Sequence, residues 1–209
     1  MKHEIIVVGP LQCNCSVLSC EKTNEAIIID PGDEAPKILK YVESQNLKVK
    51  YVVHTHAHFD HIAGTAGVKA GTQATLCLHK DDQMIYQNLP MQGQMFGMNF
   101  EAAPPIEKFI ENEEIIDFGE CKAEVIHTPG HSPGSICLRC RFDGGEKLFS
   151  GDTLFRESIG RADLWGGDHG TLLTSIRKRL FSLEEDLPVY PGHGPDTSIW
   201  HEKKNNPFF

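Results

Sequence analysis

The sequence predicts a mixed α/β (α+β) fold in which two sheets are flanked by helices. Short apolar, β-branched runs, each bounded by turn residues, alternate irregularly with a few helical segments along the chain. The first three runs follow one another closely, as in hairpins, which favours this arrangement over a doubly wound parallel sheet, although periodicity alone does not separate the two. With 209 residues, 40% of them apolar, we expect residues 1–209 to form a single domain.

The chain opens with a predicted β-meander. The segments EIIVVG, CSVLSC and AIIID are strand-like, and polar, turn-forming residues separate them. Pro36 then suits the first turn of a helix, and the following KILKYVESQNL places Ile38, Leu39 and Val42 on one stripe. A strand in VKYVVH follows this predicted helix and ends at His54.

The rest of the chain continues the same mixture. Strands are predicted in ATLCLH, EEIIDF, AEVIHT, SICLRC and KLFSGD, and a helix in TLLTSIRKRLFSL, with Pro188 beyond its end. Residues 90–105, PMQGQMFGMNFEAAPP, show neither helical nor strand periodicity, so we predict a long apolar loop there. A mobile lid over a site and an ordinary loop packed on the core are both compatible with its methionines.

Composition argues against several classes of partner. The net charge is −9, and there is no run of basic residues of the kind that nucleic-acid binding requires. No apolar stretch is long enough to span a bilayer, and the first residues lack the pattern of a signal peptide. We therefore expect a cytoplasmic protein that binds neither nucleic acid nor membrane. The sequence does not predict its oligomeric state.

Seven cysteines would leave one thiol unpaired in any set of disulfides, so we expect free thiols in a reducing compartment. Cys137 and Cys140 have the spacing of a redox or zinc motif. They lie in the apolar run ICLRC, however, where cysteines usually act as small core residues, and this second interpretation is favoured.

The segment THAHFDH carries the strongest chemical signal. It places His56, His58, Asp60 and His61 within six residues, directly after a predicted strand. Imidazole and carboxylate groups are ligands that suit zinc and similar first-row metals. A solvated polar loop would explain one histidine, but three histidines and an aspartate this close together predict a metal site.

Three later segments add residues of the same type at the ends of apolar runs, next to glycine or proline. They are TPGHSPGS with His131, SGDTLF with Asp152, and YPGHGP with His193. Each could be an ordinary turn residue by itself. Together with the first segment they supply seven candidate ligands, which is the number that two metals require when one carboxylate and one solvent oxygen bridge them.

The order of these motifs resembles the metallo-β-lactamase superfamily. The opening VGPLQCNCSVL, the IIIDPGD turn with Asp30, and the closing NPFF most resemble its glyoxalase II branch, the hydroxyacylglutathione hydrolases. The resemblance implies a four-layer αββα sandwich with the ligand loops along one edge. It also implies that Asp30 braces that edge without binding metal.

The resemblance further implies two divalent ions, of which Zn2+ is expected and iron or manganese would suit the same ligands. His56, His58 and His131 would bind one ion and Asp60, His61 and His193 the other, with Asp152 bridging. A metal pair lowers the pKa of a shared water and supplies hydroxide, so no serine or cysteine nucleophile is required. Asp60 and Asp152 would orient that hydroxide.

The implied substrate is a small thioester such as S-lactoylglutathione. Arg161 lies where the family places a basic residue near the glutathione carboxylate, although a surface ion pair with Asp163 would also explain it. His54, His79 and His127 lie beside the motifs, and we assign them to hydrogen bonding or packing and not to metal binding.

The sequence departs from the family pattern in some respects, and several alternative functions remain. Asp152 stands where the best-known β-lactamases use a cysteine ligand, which argues against antibiotic hydrolysis. Only residues 194–209 follow His193, so we expect a short form without the helical carboxyl-terminal domain of larger glyoxalase II enzymes. A mononuclear iron persulfide dioxygenase, a lactonase and a catalytically silent metal-stabilised binding protein remain alternatives.

Overall fold

Two six-stranded sheets form the middle of the molecule. The structure is a computed structural model that describes residues 1–142 and 144–209. The first sheet has its strands in chain order: β1 (Lys2–Val8), β2 (Cys13–Ser19), β3 (Glu25–Ile29), β4 (Lys48–Val53), β5 (Thr75–His79) and β6 (Lys108–Ile110).

The second sheet is built from the later part of the chain. Its strands are β7 (Ile115–Phe118), β8 (Cys121–His127), β9 (Ile136–Phe142), β10 (Gly145–Gly151), β13 (Pro188–Pro191) and β14 (Thr197–Ser198), in the spatial order β14-β13-β10-β9-β8-β7. A two-stranded ribbon, β11 (Leu154–Phe155) with β12 (Ser158–Ile159), follows β10.

In the part of the chain that the structure describes, seven short α-helices surround the sheets. They are α1 (Ala35–Ser44), α2 (Phe59–Ile62), α3 (Thr65–Thr72), α4 (Gln83–Gln87), α5 (Leu89–Met95), α6 (His169–Ser175) and α7 (Ile199–Asn205). A 3-10 turn, Lys80–Asp82, precedes α4, and a π-helical turn, Ile176–Leu180, extends α6. Within the described ranges, no helix has the length and apolar character needed to cross a membrane.

The direction of the strands confirms the predicted opening meander. Strands β1, β2 and β3 pair antiparallel, with Lys2 opposite Ser19 at one end of the first hairpin and Val8 opposite Cys13 at the other. From β3 to β6 the pairing is parallel, because helical connections return the chain to the same end of the sheet. In the second sheet, β7 to β10 are antiparallel and β13 runs parallel to β10.

Strand β3 shows how these sequences produce four layers. Ile27 and Ile29 face the core between the two sheets, whereas Ile28 faces the outer layer that contains Ile38 of α1. Both faces of the strand are therefore covered, which explains its uninterrupted apolar sequence. On the other side, Leu172 of α6 and Ile199 of α7 pack on the outer face of the second sheet. The αββα sandwich is thus confirmed.

The two cysteines of β9 lie on opposite faces of the strand. Cys137 packs in the outer layer beside α6, and Cys140 packs in the core between the sheets. Residues three apart in a strand point to opposite faces, so the two thiols do not form a common site. All seven cysteines are buried free thiols.

The predicted long loop at residues 90–105 is wrong in its first part. Helix α5 occupies Leu89–Met95, with Pro90 in its first turn, and only residues 98–106 lack regular structure. The sequence did not predict this helix, because two of its buried residues, Gln92 and Gly93, are not apolar and interrupt the helical pattern of apolar residues.

The inter-sheet core provides a test of this packing. Phe118 is fully buried there, so Phe118→Ala should destabilise the protein by about 3–5 kcal/mol. Phe109→Ala, on the exposed side of β6, is the matched control and should cost much less, since Phe109 keeps 42% of its surface exposed. Urea unfolding of both variants measures the difference, and equal losses would contradict the layer assignment.

Candidate metal centre

All seven predicted ligands lie beyond the carboxyl ends of strands, at one edge of the sandwich. The first motif follows β4, and the loops with His131, Asp152 and His193 follow β8, β10 and β13. These last three strands run in one direction, since β10 is parallel to β13 and β9 is antiparallel to both β8 and β10. Both sheets therefore contribute to the same edge.

His56, His58 and His131 form the first group. Their ligand atoms all lie within 4.8 Å of one another, and His58 Nδ1 is 2.9 Å from His131 Nε2. All three side chains are buried. Burial lowers the pKa of His58 to about 3, and burial together with the neighbouring imidazoles lowers the pKa of His56 well below its ordinary value. Both rings are therefore neutral at pH 7, the state in which imidazole binds metal.

Asp60, His61 and His193 form the second group, with ligand atoms again within 4.8 Å. The Nε2 atoms of His61 and His193 are 3.1 Å apart, and Asp60 Oδ2 lies 3.2 Å from His193 Nε2. Burial opposes ionisation of Asp60, but the two imidazoles outweigh it and hold the pKa of Asp60 below its ordinary value. The second group thus contains an anionic oxygen and two ring nitrogens.

Asp152 lies between the two groups. Its Oδ1 is 3.4 Å from His61 Nε2, and its Oδ2 is 3.7 Å from the Nε2 atoms of both His131 and His193. Asp152 Oδ1 is buried and has no hydrogen-bond partner among the described residues. One carboxylate therefore reaches both sets of ligand atoms.

In four of the candidate histidine ligands, the hydrogen bond of Nδ1 determines the tautomer of the ring. Each Nδ1 lies 2.7 to 3.1 Å from an acceptor: Arg161 O for His131, Leu11 O for His193, Asp30 Oδ2 for His61, and Thr55 Oγ1 for His56. The Thr55 hydroxyl donates its own proton to Asp30, so it accepts from the ring. Because each Nδ1–H donates, each neutral ring keeps its lone pair on Nε2, the nitrogen that points into the site.

This arrangement fits a bound metal. Two Nε2 lone pairs 3.1 Å apart, on His61 and His193, repel each other unless a proton or a metal ion lies between them. His56 Nε2 is buried without a partner as well, and a cation at the centre would satisfy all of these atoms. Without metal, burial would lower the pKa of His61, but the carboxylates of Asp152, Asp60 and Asp30 outweigh it and raise this pKa, so that a proton on His61 takes the place of the metal.

Asp30 braces the first ligand loop through hydrogen bonds. Its Oδ1 accepts from the backbone N–H of Thr55 at 2.7 Å, and its Oδ2 accepts from the Thr55 hydroxyl at 2.6 Å and from His61 Nδ1 at 3.0 Å. With both oxygens already used, Asp30 orients His61 in the way that carboxylates behind metal-binding histidines do.

Asp82 has a role that the sequence did not indicate. Its carboxylate accepts hydrogen bonds from the backbone N–H of Ala57 at 2.9 Å, the Ser132 hydroxyl at 2.7 Å and the backbone N–H of Gly134 at 2.6 Å. Ala57 lies between two ligands of the first loop, and Ser132 follows His131. One fully buried carboxylate therefore holds the ligand loops of the two sheets together.

The loop of His193 needs both a glycine and an asparagine. A Cβ atom at Gly192 would collide with Asp152 Oδ1 and with the His61 ring, so only glycine leaves room for these ligands. Asn14 Nδ2, on β2, donates to the carbonyls of Pro191 at 3.0 Å and Gly194 at 2.9 Å. These bonds attach the loop to the first sheet.

Arg161 is placed at the mouth of the site. Arg161 is among the residues that line the same cavity as His58, Asp60 and Asp152, and its side chain forms a two-point ion pair with Asp163, at 2.7 and 2.9 Å. More than half of the Arg161 side chain, 56%, is exposed. Both features anticipated for Arg161, the ion pair and proximity to the site, are therefore present.

The other histidines beside the motifs are engaged differently. His54 is buried, and its Nε2 lies 3.4 Å from the Thr65 hydroxyl. His79 and His127 lie close to Asp81 as a further group of ligand-type residues, apart from the candidate metal centre, and their rings stack face to face at 4.0 Å. His127 Nε2 donates to the Pro133 carbonyl at 2.9 Å, and His79 Nδ1 accepts from the Asp81 N–H. One nitrogen of each ring is therefore engaged in a hydrogen bond within the protein.

Comparison with known proteins agrees with this geometry. The family model of the metallo-beta-lactamase superfamily matches residues 8–193, a range that contains all seven candidate ligands. The hydroxyacylglutathione hydrolase GloC of Haemophilus influenzae is 38% identical over 100% of this chain and 98% of its own length.

Solved structures show the same similarity in three dimensions. The BLEG-1 B3 metallo-beta-lactamase superposes with a TM-score of 0.91 at 37% identity, covering 99% of both chains. TTHA1623, in a di-iron-bound form, gives 0.88 at 35% identity and covers 99% of this chain and 100% of its own. ETHE1 from Myxococcus xanthus gives 0.82 at 27% identity, covering 99% and 84%.

The three hydrogen bonds of Asp82 lead to a prediction. Asp82→Asn replaces one acceptor oxygen by a donor amide that faces N–H or O–H groups, so the ligand loops should shift and metal affinity should fall about 10- to 100-fold. Asp81→Asn, whose side chain is 46% exposed, is the matched control and should keep wild-type affinity. Titration with a competing chelator measures both, and unchanged affinity in Asp82→Asn would refute the role.

Proposed function

The chain belongs to the metallo-beta-lactamase superfamily, and we propose that this metallo-hydrolase cleaves thioesters, with S-lactoylglutathione or a related hydroxyacyl thioester as its substrate. The observation that carries the proposal is the pair of ligand groups joined by Asp152. The similarity to GloC over the full chain supports the substrate class.

We assign one metal ion to each of the two groups of ligand atoms. His56, His58 and His131 would hold one divalent ion, and Asp60, His61 and His193 the other, with Asp152 shared between them. Zn2+ is the metal that we propose, because imidazole and carboxylate ligands in this number suit it. The same ligands accept iron or manganese, and the di-iron form of TTHA1623 gives iron direct support.

When bound, a pair of divalent ions lowers the pKa of water at the site and polarises a carbonyl oxygen. The two aspartates would then orient the attacking water, since Asp152 Oδ1 has no other hydrogen-bond partner and the hydrogen-bonding network keeps Asp60 anionic. Cys13 is not the nucleophile. It lies 3.6 Å from His61 Nδ1, but burial raises its pKa to about 11, which keeps it a thiol at neutral pH.

The anionic part of the substrate would bind near Arg161. Arg161 shares the cavity with the proposed ligands, and guanidinium groups recognise carboxylates through paired hydrogen bonds. Asp163 already occupies two of its N–H groups, so the substrate would share or displace this partner.

The first test measures metal content together with hydrolysis of S-lactoylglutathione. We expect two metals per chain and a thioesterase activity that a chelator abolishes and added Zn2+ restores, because all seven candidate ligands converge on one site. Loss of thioester absorbance follows the reaction. His56→Ala supplies a matched protein that should lose both metal and activity.

Other outcomes would identify the alternatives. One iron per chain with oxygen uptake in the presence of a persulfide would favour the dioxygenase, an alternative that the similarity to ETHE1 supports. Two metals with lactone hydrolysis, or with β-lactam hydrolysis as in the BLEG-1 enzyme, would replace the thioesterase proposal. Tightly bound metal without turnover of any of these substrates would indicate a binding protein.

Arg161→Ala tests the anion site. We expect KM for S-lactoylglutathione to rise about two- to fivefold with little change in kcat, the size that an exposed ion pair supplies. Lys178→Ala removes a positive charge from an exposed position on the π-helical turn and controls for net charge. If both variants keep the wild-type KM, Arg161 has no role in binding.

A further inference from the structure

A second cavity adjoins the one that contains the candidate ligands. It has a volume of about 200 Å3 and is lined by Met84, Ile85, Asn88, Met91, Gln92 and Trp165. Gln92 and Trp165 also line the cavity formed by His58, Asp60, His131 and Asp152. The two cavities therefore adjoin at Gln92 and Trp165, and the second one lies directly beside a substrate bound at the ligands.

We propose that this second cavity binds the acyl group of the thioester and selects an apolar acyl chain or ring, an inference that rests on the proposed thioesterase function. Four of its six lining side chains are apolar or aromatic, and none carries a charge. The charged end of the site is at Arg161, in the neighbouring cavity. A thioester with an anionic thiol portion and an apolar acyl portion matches this division.

The polar groups of the cavity offer little to an acyl hydroxyl. The Gln92 amide donates to the carbonyls of Ala57 at 2.9 Å and Ile85 at 2.8 Å, and its oxygen accepts from the Phe59 N–H at 2.9 Å. Asn88 Nδ2 donates to the Met84 carbonyl at 2.7 Å. Because both N–H groups of Gln92 and one of Asn88 are already used, binding in the cavity depends mainly on apolar contact.

The volume of the cavity sets the length of the acyl chain that it can hold. A dry cavity of about 150 Å3 accommodates a benzene molecule, so about 200 Å3 suits a phenyl ring or a chain of about six carbons. A lactoyl group, with three carbons, would leave most of this space unfilled. Exposed Met84 and Met91 border the cavity, and flexible methionines adapt well to apolar ligands.

The same elements connect the cavity to the reacting centre. Gln92 binds α5 to Ala57 and Phe59, the two residues that flank His58. The Trp165 ring lies 6.4 Å, centroid to centroid, from the His58 ring. An acyl chain that packs on Trp165 would therefore place its carbonyl near the candidate ligands.

The test is a series of glutathione thioesters with lactoyl, propanoyl, butanoyl and hexanoyl groups, applied to the metal-loaded protein. Each added methylene that enters the cavity should raise kcat/KM about two- to fourfold up to six carbons. Met91→Lys places a charge in the cavity wall and should lower the hexanoyl-to-propanoyl ratio at least fivefold. Met95→Lys is the matched control on the same helix, since Met95 is 62% exposed and does not line the cavity, and should keep the wild-type ratio.

Several results would overturn the proposal, and they separate the cavity from the thioesterase function. If S-lactoylglutathione is hydrolysed but kcat/KM does not rise with chain length, or the two lysine variants have equal ratios, the acyl cavity is wrong and the thioesterase function stands. If no thioester in the series is hydrolysed, both are wrong. Repeating the series with N-acetylcysteamine thioesters removes the anionic thiol portion, and disappearance of the acyl-length preference would also count against the cavity.

Discussion

Imidazole lone pairs that point at one another govern the architecture of this site. His61 and His193 each donate Nδ1–H outward, to Asp30 and Leu11. When both rings are neutral, their Nε2 lone pairs therefore face each other at 3.1 Å without a proton between them. Such an arrangement is repulsive unless a proton or a metal ion lies between the nitrogens. The outward hydrogen bonds thus prepare the ligand atoms for a cation before it binds.

Two buried carboxylates maintain this convergence. Asp30 binds Thr55 and His61 within the loop of the first sheet, and Asp82 joins that loop to Ser132 and Gly134 beside the loop of the second sheet. A buried carboxylate is costly unless its oxygens are hydrogen-bonded, and each of these accepts three hydrogen bonds. The two sheets form the scaffold, and the two aspartates set the distances between the loops.

Metal binding and substrate selection use different parts of the fold. The candidate ligands follow strands of the sandwich, where the surrounding core restricts their movement. The walls that would contact substrate come from the short helices α4 and α5 and from the segment that carries Arg161 and Trp165. Changes in these peripheral segments can alter substrate preference while the ligand geometry is kept.

The sequence by itself determined nine of the twelve strands in the two sheets, the opening meander and the choice of seven candidate ligands, because strand periodicity and ligand chemistry are local properties of the chain. It did not predict the short strands β6, β13 and β14, which have two to four residues and are too short to show a period. Only the tertiary structure showed that Asp82 joins two loops, that Gln92 binds α5 to the first motif, and that Cys137 and Cys140 face different layers. An aspartate in KDD or a glutamine in α5 has no distinctive local pattern. Their roles depend on partners 25 to 52 residues away in the chain, which folding alone brings within hydrogen-bonding distance.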